Sequence, residues 1–197
     1  MSTVKSKKLQ VGTDATSSNN FTIYQPATPD GTLRIGVGNA DSPTEVGRFD
    51  SNGYVATNAP MFYARASAST SLSNSTWTKI VLATKEVDLT NDYDTTNSRF
   101  TPSVEGYYQI IGTYFISTAT TARPITSIYK NGTEAFTTCW VGTSSLGGNN
   151  GIVSAIIYAN GSTDYFELYG NQNSGSTQTT LTGSTVSFFQ GTLVRAV

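Results

Sequence analysis

Asp92 and Asp94 flank Tyr93, and that spacing would set both carboxylates on one face of an extended segment. Two carboxylates on one face are the starting material for a cation site or for the acid and base of a glycoside hydrolase. The neighbourhood argues for a plainer role. Asn91 before them and Thr95-Thr96-Asn97-Ser98 after them make a turn region, where Asp accepts from backbone N–H groups a few residues on. No third ligand stands nearby in sequence. Histidine is absent from the chain, so the usual general base near neutral pH is missing. Cys139 is the single cysteine; it has no histidine partner and no basic residue beside it, so a thiolate nucleophile is not expected. Its strand-like flanks, Thr138 and Trp140, predict a buried structural thiol without a disulfide. Gly36-Val37-Gly38 lacks the following helix that a dinucleotide fingerprint needs. No enzyme, cofactor or metal is therefore expected, and a carbohydrate-active enzyme is the remote alternative.

The composition points to assembly. Charged residues make up 13% of the 197-residue chain and the net charge is −1, against about 25% charged in an average soluble domain. Hydroxyls take the place of charge, with 32 Thr and 23 Ser. Thr packs well on a pleated surface and Ser competes with helix hydrogen bonds, so extended structure is favoured. Without a basic excess there is nothing to attract nucleic acid. Lys5, Lys7 and Lys8 read as a solvated tail or as an arm for an acidic partner. No apolar run reaches the length of a membrane span, and the N-terminus shows no signal-peptide core, so export by that route is not expected.

The elements that must carry any site are strands. No helical period of apolar residues appears over a useful length. Short alternating runs recur instead, closed by Asp30-Gly31, Asn52-Gly53, Asn131-Gly132, Asn150-Gly151 and Asn160-Gly161, pairs that tolerate positive φ and close hairpins. Residues 1–57 contain short strands at Lys8 to Val11, Phe21 to Tyr24, Thr32 to Val37 and Val46 to Phe49. Asn58-Ala59-Pro60 then interrupts pairing. Residues 58–197 contain longer, more apolar strands, the longest at Tyr107 to Ile116. About eight strands in this part fit a sandwich or jelly roll. The first part, thin in large apolar residues and without staples, is marginal as a monomer. It is expected to be stabilised by pairing with copies of itself, as an interwound β stalk. In the long strand, Tyr108, Ile110, Gly112 and Tyr114 point one way and Tyr107, Gln109, Ile111, Thr113 and Phe115 the other. Both sets are largely apolar, so one face must be hidden by another sheet or by a neighbouring subunit.

Several motifs occur in a telling order: Met61-Phe62-Tyr63-Ala64, Tyr93-Asp94, Arg99-Phe100-Thr101-Pro102, Gly106-x-Tyr108-x-Ile110, Ile128-Tyr129-Lys130-Asn131-Gly132, Asn160-Gly161-Ser162-Thr163-Asp164-Tyr165-Phe166-Glu167-Leu168, and Phe188-Phe189-Gln190-Gly191-Thr192-Leu193-Val194. Together they resemble the globular domain of the complement C1q and tumour necrosis factor superfamily. Two extra residues stand between Gly161 and Asp164, and the loops follow no family-wide type, so ligand identity does not carry over. The resemblance implies a trimeric jelly roll. Earlier in the chain, Gln10-Val11-Gly12-Thr13, Asn20-Phe21-Thr22-Ile23, Asp30-Gly31-Thr32-Leu33-Arg34-Ile35, Gly38-Asn39-Ala40 and Arg48-Phe49-Asp50-Ser51-Asn52-Gly53-Tyr54-Val55 resemble repeats of bacteriophage fibre and head-associated structural proteins.

The expectation is an all-β chain: a small N-terminal β module, residues 1–57, that anchors, followed by a trimeric C1q/TNF-like jelly-roll β-sandwich, residues 58–197. The implied role is a non-enzymatic structural protein of a phage virion, either a capsid decoration or a fibre knob. It would be made in the host cytoplasm and carried on the particle surface. Its partners would be its own copies and other virion proteins met through the N-terminal part, with no nucleic acid and no membrane insertion. Trimer-core candidates are Tyr107, Tyr108, Ile110, Tyr114, Phe115, Phe188 and Phe189. The alternative is a receptor-binding tip for host-surface glycan or protein. The polar loops Gly142 to Gly151 and Asn171 to Gly183 would then carry the ligand contacts, with Trp140 and Tyr169 stacking on sugar faces and Asn149, Asn150, Asn171 and Asn173 supplying amides.

Overall fold

The computed structural model describes residues 8–16, 19–56, 59–116, 123–139 and 149–197. The chain divides into two compact units, Met1–Asn58 and Ala59–Val197, within the Asn58-Ala59-Pro60 stretch; the expected boundary lay between residues 57 and 58. Lys5 and Lys7 lie outside the described residues.

The first unit is a five-stranded antiparallel meander of β1 (Lys8–Val11), β2 (Phe21–Tyr24), β3 (Leu33–Val37), β4 (Thr44–Asp50) and β5 (Gly53–Ala56), paired in sequence order. Its strands pair within one chain, so pairing here needs no strand exchange between copies. Asn52 and Gly53 turn β4 into β5, with Gly53 at φ 115°.

The second unit holds thirteen strands. They are β6 (Met61–Ala66), β7 (Ser71–Leu72), β8 (Thr78–Lys79), β9 (Thr84–Asp88), β10 (Tyr93–Asp94), β11 (Arg99–Phe100), β12 (Glu105–Ile116), β13 (Ile125–Lys130), β14 (Thr133–Cys139), β15 (Asn149–Asn160), β16 (Phe166–Asn171), β17 (Gln178–Thr179) and β18 (Gly183–Ala196). One sheet runs β15-β12-β18-β6-β9; the other runs β10-β11-β16-β13-β14 with β8 beside β16; β7 and β17 form a small ribbon. The two sheets pack as a sandwich. The extra strands over the expected eight are mostly two-residue pieces, too short to leave a periodic signal.

The core between the sheets is aromatic. Phe62 of β6 stacks on Phe100 at 4.2 Å and on Tyr93 at 5.0 Å, and meets Phe189 edge-on at 5.1 Å. β12 follows the two-residue period: Tyr108, Ile110, Tyr114 and Ile116 are fully buried, and Tyr107 and Phe115 are not. The buried phenols keep their hydrogen bonds. Tyr108 donates to the Val104 carbonyl at 2.6 Å, and Tyr114 donates to the Asn171 carbonyl at 2.5 Å. Burial pushes the Tyr108 phenol up to about 12, with the Asp92 carboxylate adding to the shift.

Asn131-Gly132 forms the expected hairpin turn, with positive φ at both residues (54° and 77°), the geometry of a type I′ turn. Asn150-Gly151 does not turn; both residues lie inside β15. Gly151 is a close-approach glycine, because a Cβ there would collide with the Thr126 hydroxyl.

Asp164 ties the turn to the loop before β16. It accepts from Asn131 Nδ2 at 2.7 Å, from Lys130 Nζ at 2.8 Å and from the Asn160 N–H at 3.0 Å. Burial pushes its pKa up, but Lys130, Asn131 and the Asn160 N–H outweigh burial, and the net shift is downward from 3.8. A carboxylate whose folded pKa is depressed stabilises the fold fully above its unfolded value of about 4 and loses that contribution as pH falls through the folded value. Asp164→Asn is therefore expected to lower the urea midpoint at pH 7, by about 2 kcal/mol of stability, and to flatten the decline between pH 4 and lower pH. The parity of β12 makes a sharper contrast. Ile110→Ala should cost about 2–5 kcal/mol, whereas Ile111→Ala, on the opposite face, should leave the stability of the isolated subunit within about 1 kcal/mol of the parent, both read by chemical denaturation.

Candidate self-association face

The outward face of the β15-β12-β18-β6-β9 sheet is built by the strand parity that leaves the core. By parity β12 contributes Tyr107, Gln109, Ile111, Thr113 and Phe115, of which Thr113 is itself buried and donates to the Gly151 carbonyl. Opposite them β15 places Tyr158, Ile156, Ser154, Ile152 and Asn150, and β18 places Phe188, Gln190 and Thr192. β6 completes the face with Met61, Tyr63 and Arg65. Ile152 and Ile156 are 55% and 56% exposed and Tyr107 is 45% exposed. A bulge between Tyr107 and Tyr108 leaves Val194 exposed as well.

The side chains are held by one another. Tyr107 meets Tyr158 edge-on at 5.7 Å, and Tyr63 meets Phe188 edge-on at 5.8 Å. Gln109 donates to the Ser154 hydroxyl at 2.7 Å. Tyr158 donates to Glu105 at 2.6 Å, a bond that raises the phenol pKa. Burial, and then the Glu86 carboxylate, raise the Tyr63 phenol. The rows contributed by β12, β15 and β18 from Thr113 to Gln109 carry no charged residue. Charge sits at the margins, where Arg65 pairs with Glu86 and where Glu105 and Arg195 end their strands. A hollow of about 160 Å³ lies between Met61, Tyr63, Gln109, Ile111, Gln190 and Thr192, room for one side chain of a neighbour.

The seven residues expected at a trimer core divide by parity. Tyr107, Phe115 and Phe188 belong to the outward face. Tyr108, Ile110, Tyr114 and Phe189 are fully buried inside the subunit's own sandwich, so no neighbour can cover them; that part of the expectation is corrected. The reason is the two-residue alternation, which cannot place adjacent residues such as Tyr107 and Tyr108 on one surface. Ile152 and Ile156 were missed. Their signal was readable, since Ile152-Val153-Ser154-Ala155-Ile156-Ile157-Tyr158 is apolar on both alternating sets.

The residues expected at a glycan site are spread over the sandwich. Trp140 and most of the Gly142 to Gly151 loop lie outside the described residues. Asn149 and Asn150 begin β15, paired with Ile116 and Phe115. Asn171 ends β16, and its carbonyl takes the Tyr114 hydroxyl. Asn173 is exposed and accepts from the Arg123 N–H at 2.9 Å. Tyr169 lies on the outer surface of the other sheet, stacked on Tyr129 at 3.9 Å, with Trp77 edge-on to Tyr129 at 6.0 Å. Beside them Glu167 is buried, 2.9 Å from Arg99 and 3.2 Å from Lys79.

The groups with catalytic potential have structural work. Asp92 accepts from the Ser103 N–H at 3.0 Å and from Thr90 Oγ1 at 2.7 Å. Asp94 accepts from the Thr96 N–H at 2.8 Å and from Asn97 Nδ2 at 2.6 Å, and these turn bonds hold its pKa below 3.8. Cys139 is exposed, against the expectation of a buried thiol, because it ends β14, an edge strand whose seven residues all face solvent. Arg123 donates to its sulfur at 3.3 Å. Among the described residues no three Asp, Glu, Cys or His side chains gather as a metal site.

No protein-family model matches this sequence, and no curated protein matches it. Solved structures do match by shape. The globular domain of zebrafish complement 1qA superimposes with a TM-score of 0.50 at 13% identity, over 70% of this chain and 99% of that one. The Eiger TNF of S. frugiperda gives 0.53 at 9% identity, over 71% and 93%. Murine APRIL gives 0.52 at 9% identity, over 69% and 99%. At these identities the likeness is one of fold, and the matched share is about the length of residues 59–197. The C-terminal unit is a jelly-roll β-sandwich of the C1q and tumour necrosis factor type.

Proposed function

We propose that this chain is a homotrimeric, non-enzymatic structural protein of a bacteriophage virion, anchored by its N-terminal unit and displaying the jelly-roll unit at the particle surface. The observation that carries the trimer is the outward face of the β12 sheet. It is continuous and uncharged at its centre, where Ile111, Ile152, Ile156 and Phe188 stand among neutral Gln, Ser and Thr side chains, and a surface with so much exposed apolar area marks a protein contact. A closed threefold assembly covers every copy of such a face at once, and the C1q/TNF-type fold favours that number. The phage setting is supported by the resemblance of the N-terminal segments to fibre and head-associated repeats, and by a surface solvated with hydroxyls in place of charge.

A second reading gives the displayed unit a receptor. The Tyr129 and Tyr169 stack with neighbouring Trp77 supports it, because half-exposed rings on an outer sheet offer flat apolar faces to a sugar.

Light scattering on the full chain should return three times the 21.0 kDa of one chain, and Ile156→Glu should return single folded copies, since a carboxylate buried there has no partner. A folded single-copy parent would refute the trimer. Immunogold labelling of purified particles should place the protein on their surface; absence from the particle would refute the virion role. If the receptor reading holds, Tyr169→Ala should abolish adsorption of the isolated trimer to host cells without changing its mass.

A further inference from the structure

The N-terminal meander is amphipathic in a way its sequence half-conceals. Register places Lys8, Tyr24, Arg34 and Arg48 in one row, with Gln10, Thr22, Gly36 and Glu45 in another on the same face. On that face Arg34 bridges Asp30 and Glu45, the latter at 2.9 Å, and Arg48 reaches Glu45 at 3.2 Å. Pro43 lies over Gly36, and Thr22 is fully buried. The opposite face carries Leu9, Val11, Phe21, Ile23, Leu33, Ile35, Val37 and Phe49, with no charge among them. Six of these side chains are exposed, from 36% for Ile23 to 59% for Leu9.

Among the described residues this unit buries no large apolar side chain. A single-layer sheet with nothing packed on its apolar face lacks the burial that independent stability requires. Something must therefore cover that face whenever the unit is folded. Copies of the same chain offer a cover of matching chemistry in the trimer proposed above. Association of the jelly-roll units would hold them at high effective concentration, and two uncharged faces meet without stranding a charge.

We propose that the Leu9, Phe21, Ile23, Leu33 and Phe49 faces of three chains turn inward on a threefold axis and close a β-prism whose charged faces point outward. This rests on the trimer proposed above. It deepens that reading by making the N-terminal unit a second, separate site of self-association. The outward ion-paired face would then remain for contacts with the particle.

The test uses the full chain in a Cys139→Ser background with either Ile35→Cys, on the central strand of the apolar face, or Gln10→Cys, exposed on the opposite face. Each is treated with a short bis-maleimide, and the untreated samples are weighed by light scattering. The expected result is a trimer in both, cross-linked between chains at Ile35→Cys and not at Gln10→Cys. A trimer left unlinked at Ile35→Cys, or linked equally at both positions, overturns the prism and leaves the jelly-roll trimer standing. A monomer overturns both. The unsubstituted chain provides a second readout that no cysteine can disturb: backbone amides of β2, β3 and β4 should resist hydrogen exchange, and exchange at the rate of an unstructured chain within an intact trimer overturns the prism.

Discussion

Alternation of side chains along β12 is the constraint on which the rest of the second unit depends. A strand sends successive residues to opposite surfaces, and this strand is apolar in both registers. One register, Tyr108 through Ile116, fills the space between two sheets and is closed by Phe62, Phe100 and Phe189. The other cannot be hidden by the same sandwich. Every feature of the outward face follows from that surplus: the aromatic pairs across neighbouring strands, the amides of Gln109 and Gln190 in place of charges, and the confinement of Arg65 and Glu86 to its margin.

The first unit solves the same problem differently. Among the described residues it has one sheet and no second layer of its own, so its apolar register has no destination inside the unit. Its charges are gathered on the other side, where Arg34 and Arg48 pair with Asp30 and Glu45. The chain thus carries two sheets with unspent apolar surface, one in each unit, and neither resembles a catalytic cleft. The carboxylates with catalytic spacing, Asp92 and Asp94, are occupied by turn N–H groups and hydroxyls.

Much of this was legible in the sequence, and the limits have physical causes. Long strands with a clear period, β6, β12 and β13, stood out, as did the Asn131-Gly132 turn, because pattern and turn chemistry are local. Asn150-Gly151 misled because the same dipeptide serves a close approach to Thr126 inside a strand. Of the residues expected at a trimer core, Tyr108, Ile110, Tyr114 and Phe189 instead fill the subunit's own core. Aromatic content marks a strand as buried on two sides, but only the partner strands decide which register faces inward. Cys139 was placed inside because its flanks are strand-like, and sequence does not tell an edge strand from a central one. The ion cluster of Glu167, Arg99 and Lys79 joins residues far apart in the chain and had no local signature.

The scarcity of charge on both apolar faces has an environmental consequence. Interfaces stitched by ion pairs weaken as salt screens them. Surfaces of isoleucine, tyrosine and phenylalanine respond to solvent cohesion, so strongly hydrated anions tighten them and chilling loosens them. Copies joined in this way would keep their grip in brine and in dilute water alike, and low temperature would be the condition that most relaxes it.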